Sequence, residues 1–306
     1  MLFRSVKDLR EKTGAGMLDC KKALVENSGD FEKAVDYLRK KGIASAAKKV
    51  GRATKEGTIF SYIPGDGNLA VLLEVNCETD FVAKTEQFKT FVKNVAMHIA
   101  ESKTPSGDNA ALMKQSFIKD SSKTMEMLLS EAIATLGENM TIGRFARWSL
   151  DESGKKGTIN SYIHGEGRVA VLLEVNCEKV ETTKTDGFKT FVKDVSMHTA
   201  AASPTYVLPS EVPADTIAKE KEIAVAQMVA SGKPAAVLEK IAEGKINKYY
   251  EETCLMKQPF VKDPGKSIEK FASETGSLLG DQITIRRFVR WALGETTKTE
   301  SEATAG

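Results

Sequence analysis

Apolar residues fall into two distinct periods along this chain. Phe31, Ala34, Val35 and Leu38 stand at i, i+3, i+4 and i+7, the stripe of an amphipathic helix, and Gly42 is placed to stop it. Upstream, Ser5 with Asp8 reads as a capping box that opens a helix through Val6 and Leu9 to the break Gly14-Ala15-Gly16. A second helix starts near Met17, passes Leu24 and ends at Asn27-Ser28-Gly29. The spacing then changes. TIFSYI and NLAVLLEVN flank PGDG at residues 64–67, and TINSYI and RVAVLLEVN flank HGEG at 164–167, which predicts two β-hairpins. Helical spacing returns with Phe88, Phe91, Val92, Val95 and Ile99, and again with Phe188, Phe191, Val192 and Val195. Further helices are predicted near residues 123–136 and 266–279, and closing strands over 141–150 and 284–293.

These paired elements are a duplication. Residues 57–100 match residues 157–200 at 29 of 44 positions, at an offset of 100. The match resumes at an offset of 143, where QSFIKD at Gln115 pairs with QPFVKD at Gln258, and TIGRFARW at Thr141 with TIRRFVRW at Thr284. The second copy therefore holds 43 extra residues between its halves. The order strand, strand, helix, helix, strand in each copy predicts an α+β fold with two lobes, each on a three-stranded antiparallel sheet. The extra residues read as a helical hairpin, 215–230 and 234–250, joined by Ser231-Gly232-Lys233-Pro234. The expected organisation is a three-helix module with its basic connector over 1–55, a first lobe over 56–151 and a second lobe over 152–294. The second lobe carries the inserted hairpin segment at 201–257, and a polar, disordered tail occupies 295–306. A duplication is its own control: what both copies keep is read as scaffold, and what one keeps is a candidate for function.

Composition removes several classes of function. With 44 Lys/Arg against 42 Asp/Glu the chain is near neutral, which gives no whole-chain case for nucleic acid. Residues 1–55 carry 14 Lys/Arg against 7 Asp/Glu, an excess read first as a solvated helical face. Cys20, Cys77, Cys177 and Cys254 are far apart with no CxxC pair, and read as buried reduced thiols. The start MLFRSVKDLREKTG has no apolar signal core and no run approaches a membrane span, so a soluble cytoplasmic protein is expected; the start favours a bacterial cytoplasm, with a processed organellar origin the open alternative. No GxxxxGK[ST] motif is present, and no cofactor or metal is expected. A Cys77–His98 dyad is repeated as Cys177–His198 without a third orienting residue. It reads as packing plus a helix-surface histidine, not as catalysis.

The copies disagree sharply at one place. Thr79-Asp80-Phe81-Val82-Ala83 of the first is replaced by Lys179-Val180-Glu181-Thr182-Thr183, between flanks that hardly change. Phe81 lies seven residues before Phe88 and could extend the apolar stripe of the following helix into the core. Against that, Glu181 takes its place in a lobe that keeps the rest of the stripe. An exposed Asp-Phe at a strand-to-helix junction is the kind of rigid aromatic anchor that fills a partner's pocket.

The run EVNCETDFVAK, with LREKTGAGMLDCKKAL near the start, resembles translation elongation factor Ts, and the resemblance covers nearly the whole chain. It implies a guanine-nucleotide exchange factor rather than an enzyme, with elongation factor Tu, GDP-bound and nucleotide-free, as its partner. It also implies a ubiquitin-associated-like N-terminal module. By the same resemblance Thr79, Asp80, Phe81 and Val82 dislocate the Mg²⁺ of that GTPase, Arg10, Met17 and Leu18 touch its GTPase domain, and His164 adds a contact from the core. Leu18 stands where many members of the family have a second Met, a volume-conserving change. The chain stops soon after its last strand, so the C-terminal helix that some members pack on the GTPase is not expected. The competing reading is a non-catalytic protein- or RNA-binding module built on the basic helices, which leaves the duplicated lobes unused. No membrane and no specific nucleic acid are expected as partners. The role of the inserted hairpin and the oligomeric state do not follow from the sequence.

Overall fold

The computed structural model describes residues 2–229 and 235–295 of an α+β protein. The Ser231–Pro234 turn and residues 296–306 of the expected tail lie outside the described residues. Three helices come first: α1 (Leu2–Thr13), α2 (Met17–Glu26) and α3 (Phe31–Ala47). Val6, Leu9, Cys20, Ala23, Leu24, Ala34 and Leu38 close a small core among them. Asp30 caps α3 by accepting the Lys33 N–H at 3.0 Å. Ser5 lies inside α1 instead of opening it, because the helix starts at Leu2.

The first lobe follows as β1 (Glu56–Tyr62), β2 (Leu69–Cys77), α4 (Asp80–Ala83), α5 (Glu86–Ser102), α6 (Asn109–Lys114), β3 (Ser116–Phe117), β4 (Asp120–Thr124), α7 (Met125–Leu136), β5 (Met140–Ser149) and α8 (Leu150–Ser153). Its sheet has the antiparallel order β1-β2-β5. β2 is the middle strand and is apolar on both faces, which is why its sequence reads as a run and not an alternation. Val71, Leu73 and Val75 pack on Phe88, Phe91, Val92, Val95 and Ile99 of α5 and on Ile133 of α7. Ala70 and Leu72 face the other way, toward the second lobe.

The helical module rests on α7, and a glycine makes that possible. A Cβ on Gly42 would stand 3.3 Å from the Cβ of Ala134, so the absent side chain lets α3 come close to α7. Gly42 is therefore a contact point in the middle of α3, not its stop. Arg39 donates to the Ser122 carbonyl at 2.8 Å and Lys49 to the Ile133 carbonyl at 3.2 Å, which secures the same face.

The second lobe repeats the plan with β6 (Gly157–His164), β7 (Val169–Asn176), α9 (Asp186–Ala202), α10 (Ala214–Val229), α11 (Ala235–Thr253), β8 (Pro259–Phe260), β9 (Asp263–Ser267), α12 (Ile268–Leu279) and β10 (Thr284–Ala292). Its sheet order is β10-β7-β6. Helices α10 and α11 form the inserted segment, with Ala224, Ala242 and Ile246 buried. Among the described residues no helix is long and apolar enough to cross a membrane.

The two lobes meet back to back around a pseudo-two-fold axis. Ile59, Leu72 and Trp148 pack against Ile159, Ala170 and Leu172. The Ile59 N–H donates to the Gly167 carbonyl at 2.9 Å, and the Ile159 N–H donates to the Gly67 carbonyl at 2.8 Å. Ser161 donates to Ser61, its own repeat partner, at 2.9 Å, so the axis passes between these two hydroxyls. Arg144 lies over the Trp291 ring at 4.7 Å and pairs with buried Glu74 at 2.9 Å. Arg287 lies over Trp148 at 4.2 Å and pairs with buried Glu174 at 2.6 Å. Each buried carboxylate is thus met by a guanidinium, the condition under which a buried charge is tolerated.

Candidate partner-binding site

β2 hands over to α4 through a closely hydrogen-bonded junction. The Cys77 thiol donates to the Thr79 carbonyl at 3.1 Å. Thr79 is extended and caps α4, its hydroxyl accepting the Val82 N–H at 3.4 Å. The same hydroxyl donates to Glu138 at 2.6 Å, and the Thr79 N–H donates to the other oxygen of that carboxylate at 3.0 Å. At the far end Thr85 opens α5, accepting the Phe88 N–H at 3.2 Å and donating to the Val82 carbonyl at 2.8 Å. A single helical turn held at both ends has one way to face. Val82 and Ala83 lean into the core of the first lobe, and Phe81 points out, 80 % exposed. It does not extend the stripe of α5, because Thr85 separates the two helices. Asp80 pairs with Lys84 at 2.7 Å, one turn on, and that hydrogen bond holds its carboxyl below the usual carboxylate range.

The second lobe builds the same junction without the aromatic. Residues Val180–Lys184 form a short 3₁₀ turn in which Glu181 is exposed and Thr182 is buried. Thr182 donates to Asp281, which also accepts the N–H groups of Glu178 and Lys179 at 3.1 Å each. The Thr182 hydroxyl and these amides lower the Asp281 carboxyl to about 2. Both lobes anchor the entry N–H on an acidic residue and close the turn with a Thr that opens the next helix. The hydroxyl cap of Thr79 and the outward phenylalanine belong to the first alone.

The other predicted residues lie on the helical module and on the hairpin of the second lobe. Arg10 is exposed in the last turn of α1, and Met17 and Leu18 open α2, 40 % and 82 % exposed. The loop between these helices packs at Gly14 on Thr135 of α7, three residues before the Glu138 that holds Thr79. Three residues span at most about 11 Å, so the α1–α2 loop and α4 share the C-terminal end of α7. His164 is exposed at the end of β6, stacked on Tyr162 at 6.1 Å. Its hairpin packs on β1 of the first lobe, where the Thr58 hydroxyl donates to the Glu166 carbonyl at 3.5 Å and Arg168 pairs with Glu56 at 3.6 Å.

A family model described as "Elongation factor TS" matches residues 78–295. The chain belongs to the elongation factor Ts family. It is 48 % identical over 290 residues to an elongation factor Ts of Trichlorobacter lovleyi, covering 95 % of this chain and 91 % of that one. To an elongation factor Ts of Clostridium novyi it is 44 % identical over 299 residues, 98 % and 94 % of the two chains. To one of Bdellovibrio bacteriovorus it is 43 % identical over 289 residues, 94 % and 91 %.

Within this elongation factor Ts family chain, the residues that sequence reasoning missed are the supports of the turn. Glu138 and Asp281 stand at the same repeat position, in LGENM and LGDQI, and that retained acidic residue was the available signal. His98 and His198 are buried, not helix-surface groups. Each accepts a backbone N–H on Nδ1 at 3.3 Å, from Ile118 and Val261, and meets Gln115 or Gln258 through Nε2 at 2.9 Å. This explains why Gln115 and Gln258 recur in the duplicated QxFxKD run. Cys77 faces the Thr79 carbonyl, and burial raises its thiol pKa to about 12, the opposite of what a nucleophile requires.

Proposed function

We propose that the chain is the guanine-nucleotide exchange factor of elongation factor Tu and accelerates GDP release by lodging Phe81 in that GTPase near its Mg²⁺ site. The observation that carries this reading is the outward Phe81 on a turn clamped at both ends, at a position where the second lobe has Glu181. An aromatic left this exposed is unfavourable in water and finds its place in a partner. An exchange factor needs no catalytic acid or base. It binds the nucleotide-free GTPase more tightly than the GDP-bound one, and by linkage GDP is weakened by the same factor. Each tenfold loss of GDP affinity requires about 1.4 kcal/mol of differential binding. Burying one phenylalanine is worth roughly 1.5–3 kcal/mol, so Phe81 supplies about one to two decades. Arg10, Met17, Leu18 and His164 provide the docking contacts that hold the complex while Phe81 acts. Asp80 competes for hydrogen bonds beside the displaced Mg²⁺, and Thr79 and Val82 set the turn. The expected setting is translation elongation in the cytoplasm.

Release of a fluorescent GDP analogue from elongation factor Tu tests this. Wild type and Glu181→Ala are expected to release it rapidly, and Phe81→Ala about 10- to 100-fold more slowly. Full activity in Phe81→Ala would move the exchange function away from α4.

A further inference from the structure

Glu138 lies outside the exposed residues, yet it is the group on which α4 is built. Two carboxylates are exchanged across the junction. Glu138, just past α7, receives the Thr79 N–H at 3.0 Å and the Thr79 hydroxyl at 2.6 Å. Glu78, at the end of β2, receives the Asn139 N–H at 2.6 Å. The Asn139 amide then donates to the Arg52 carbonyl at 2.8 Å, and the Arg52 guanidinium reaches Glu78 at 3.5 Å. The exit of β2, the end of α7 and the connector from the helical module are therefore tied in one clip.

We infer that Glu138 is a positioning residue for exchange: it fixes the cap of α4 so that Phe81 is presented before the partner arrives. The inference rests on the function proposed above. Its support within the molecule is the second lobe, where Asp281, at the same repeat position, accepts the N–H of Lys179 as Glu138 accepts that of Thr79. Asp281 takes its hydroxyl from Thr182 instead, and holds a turn that presents Glu181. An acidic residue receiving the backbone N–H at this position is thus common to both lobes, and the first lobe adds the Thr79 hydroxyl and the Glu78–Asn139–Arg52 bonds to hold an aromatic. The alternative is that Glu138 only stabilises the lobe, and Asp281 is the control for that.

The experiment measures GDP release from elongation factor Tu over a range of factor concentrations, with melting temperatures recorded for every variant. Glu138→Gln keeps one acceptor but loses the charge. It is expected to lower the saturating release rate about tenfold, the worth of a hydrogen bond to a charged group. The half-saturating concentration should stay within about twofold, because other contacts dock the partner. Glu138→Asp, the residue the second lobe uses, is expected to recover most of the rate. Asp281→Asn should lower the melting temperature comparably and leave release unchanged. In the Phe81→Ala background Glu138→Gln should cause no further loss, since Glu138 acts through Phe81. Equal losses in Asp281→Asn and Glu138→Gln would overturn the inference, as would an unchanged saturating rate in Glu138→Gln alongside a loss in Phe81→Ala. Should Phe81→Ala itself keep full activity, the proposed function fails instead. Hydrogen exchange at the Val82 amide then decides the positioning role: faster exchange in Glu138→Gln supports it and unchanged exchange ends it.

Discussion

His98 and His198 show how much one side chain can be asked to hold. A backbone N–H can only donate, so Nδ1 of each ring is an acceptor and the proton sits on Nε2, facing Gln115 or Gln258. Protonating Nδ1 would set two donors against each other. Burial is the main cause that lowers both pKa values below the ordinary histidine range. A lowered folded value means that the unfolded chain binds protons first as pH falls. The stabilisation is therefore complete above about pH 6.5 and is lost as pH drops through the folded values. Thermal melts should be flat from neutral pH upward and decline below about pH 6. The decline should be shallower in the His98→Gln, His198→Gln double variant, which has nothing to titrate at these sites. Identical slopes would remove the histidines as its cause.

At the scale of elements, what the sequence revealed depended on whether the cause of a feature was local. The stripes of α3, α5 and α9 and the turns at 64–67 and 164–167 arise from neighbouring residues, and they were legible. Gly42 was read as a stop because its reason for being a glycine, Ala134, lies in a helix far along the chain. Glu138 was missed because its partner Thr79 is 59 residues away. Phe81 was legible for a different reason: the duplication supplied a second lobe that does without it. Close approach also governs the lobe interface. Gly167 has φ +92°, and a Cβ there would meet the Thr58 hydroxyl and stand 2.9 Å from the Ile59 carbonyl. Gly65 has φ +80° with nothing within 4 Å. Gly65→Ala should cost only the left-handed strain, about 1–2 kcal/mol. Gly167→Ala should cost at least about 1 kcal/mol more, because it also breaks the Ile59 hydrogen bond. Chemical denaturation of the two variants compares them directly, and equal costs would contradict the close packing at Gly167.

The two lobes form a nearly symmetric frame, on which the helical module, the α10–α11 insert and the outward Phe81 break the symmetry. Reciprocal Arg–Trp stacking and the Ser61–Ser161 pair lock the lobes together. In that arrangement the His164 hairpin of the second lobe packs on β1 of the first, and α7 carries the helical module. Such a frame suits the proposed function, in which the factor binds one state of its partner better than another. The most direct test of that claim measures affinity for nucleotide-free and for GDP-bound elongation factor Tu, with wild type and Phe81→Ala. The account predicts that wild type prefers the nucleotide-free form and that Phe81→Ala loses about one to two decades of that preference. A Phe81→Ala variant that binds both forms more weakly by the same factor would contradict it.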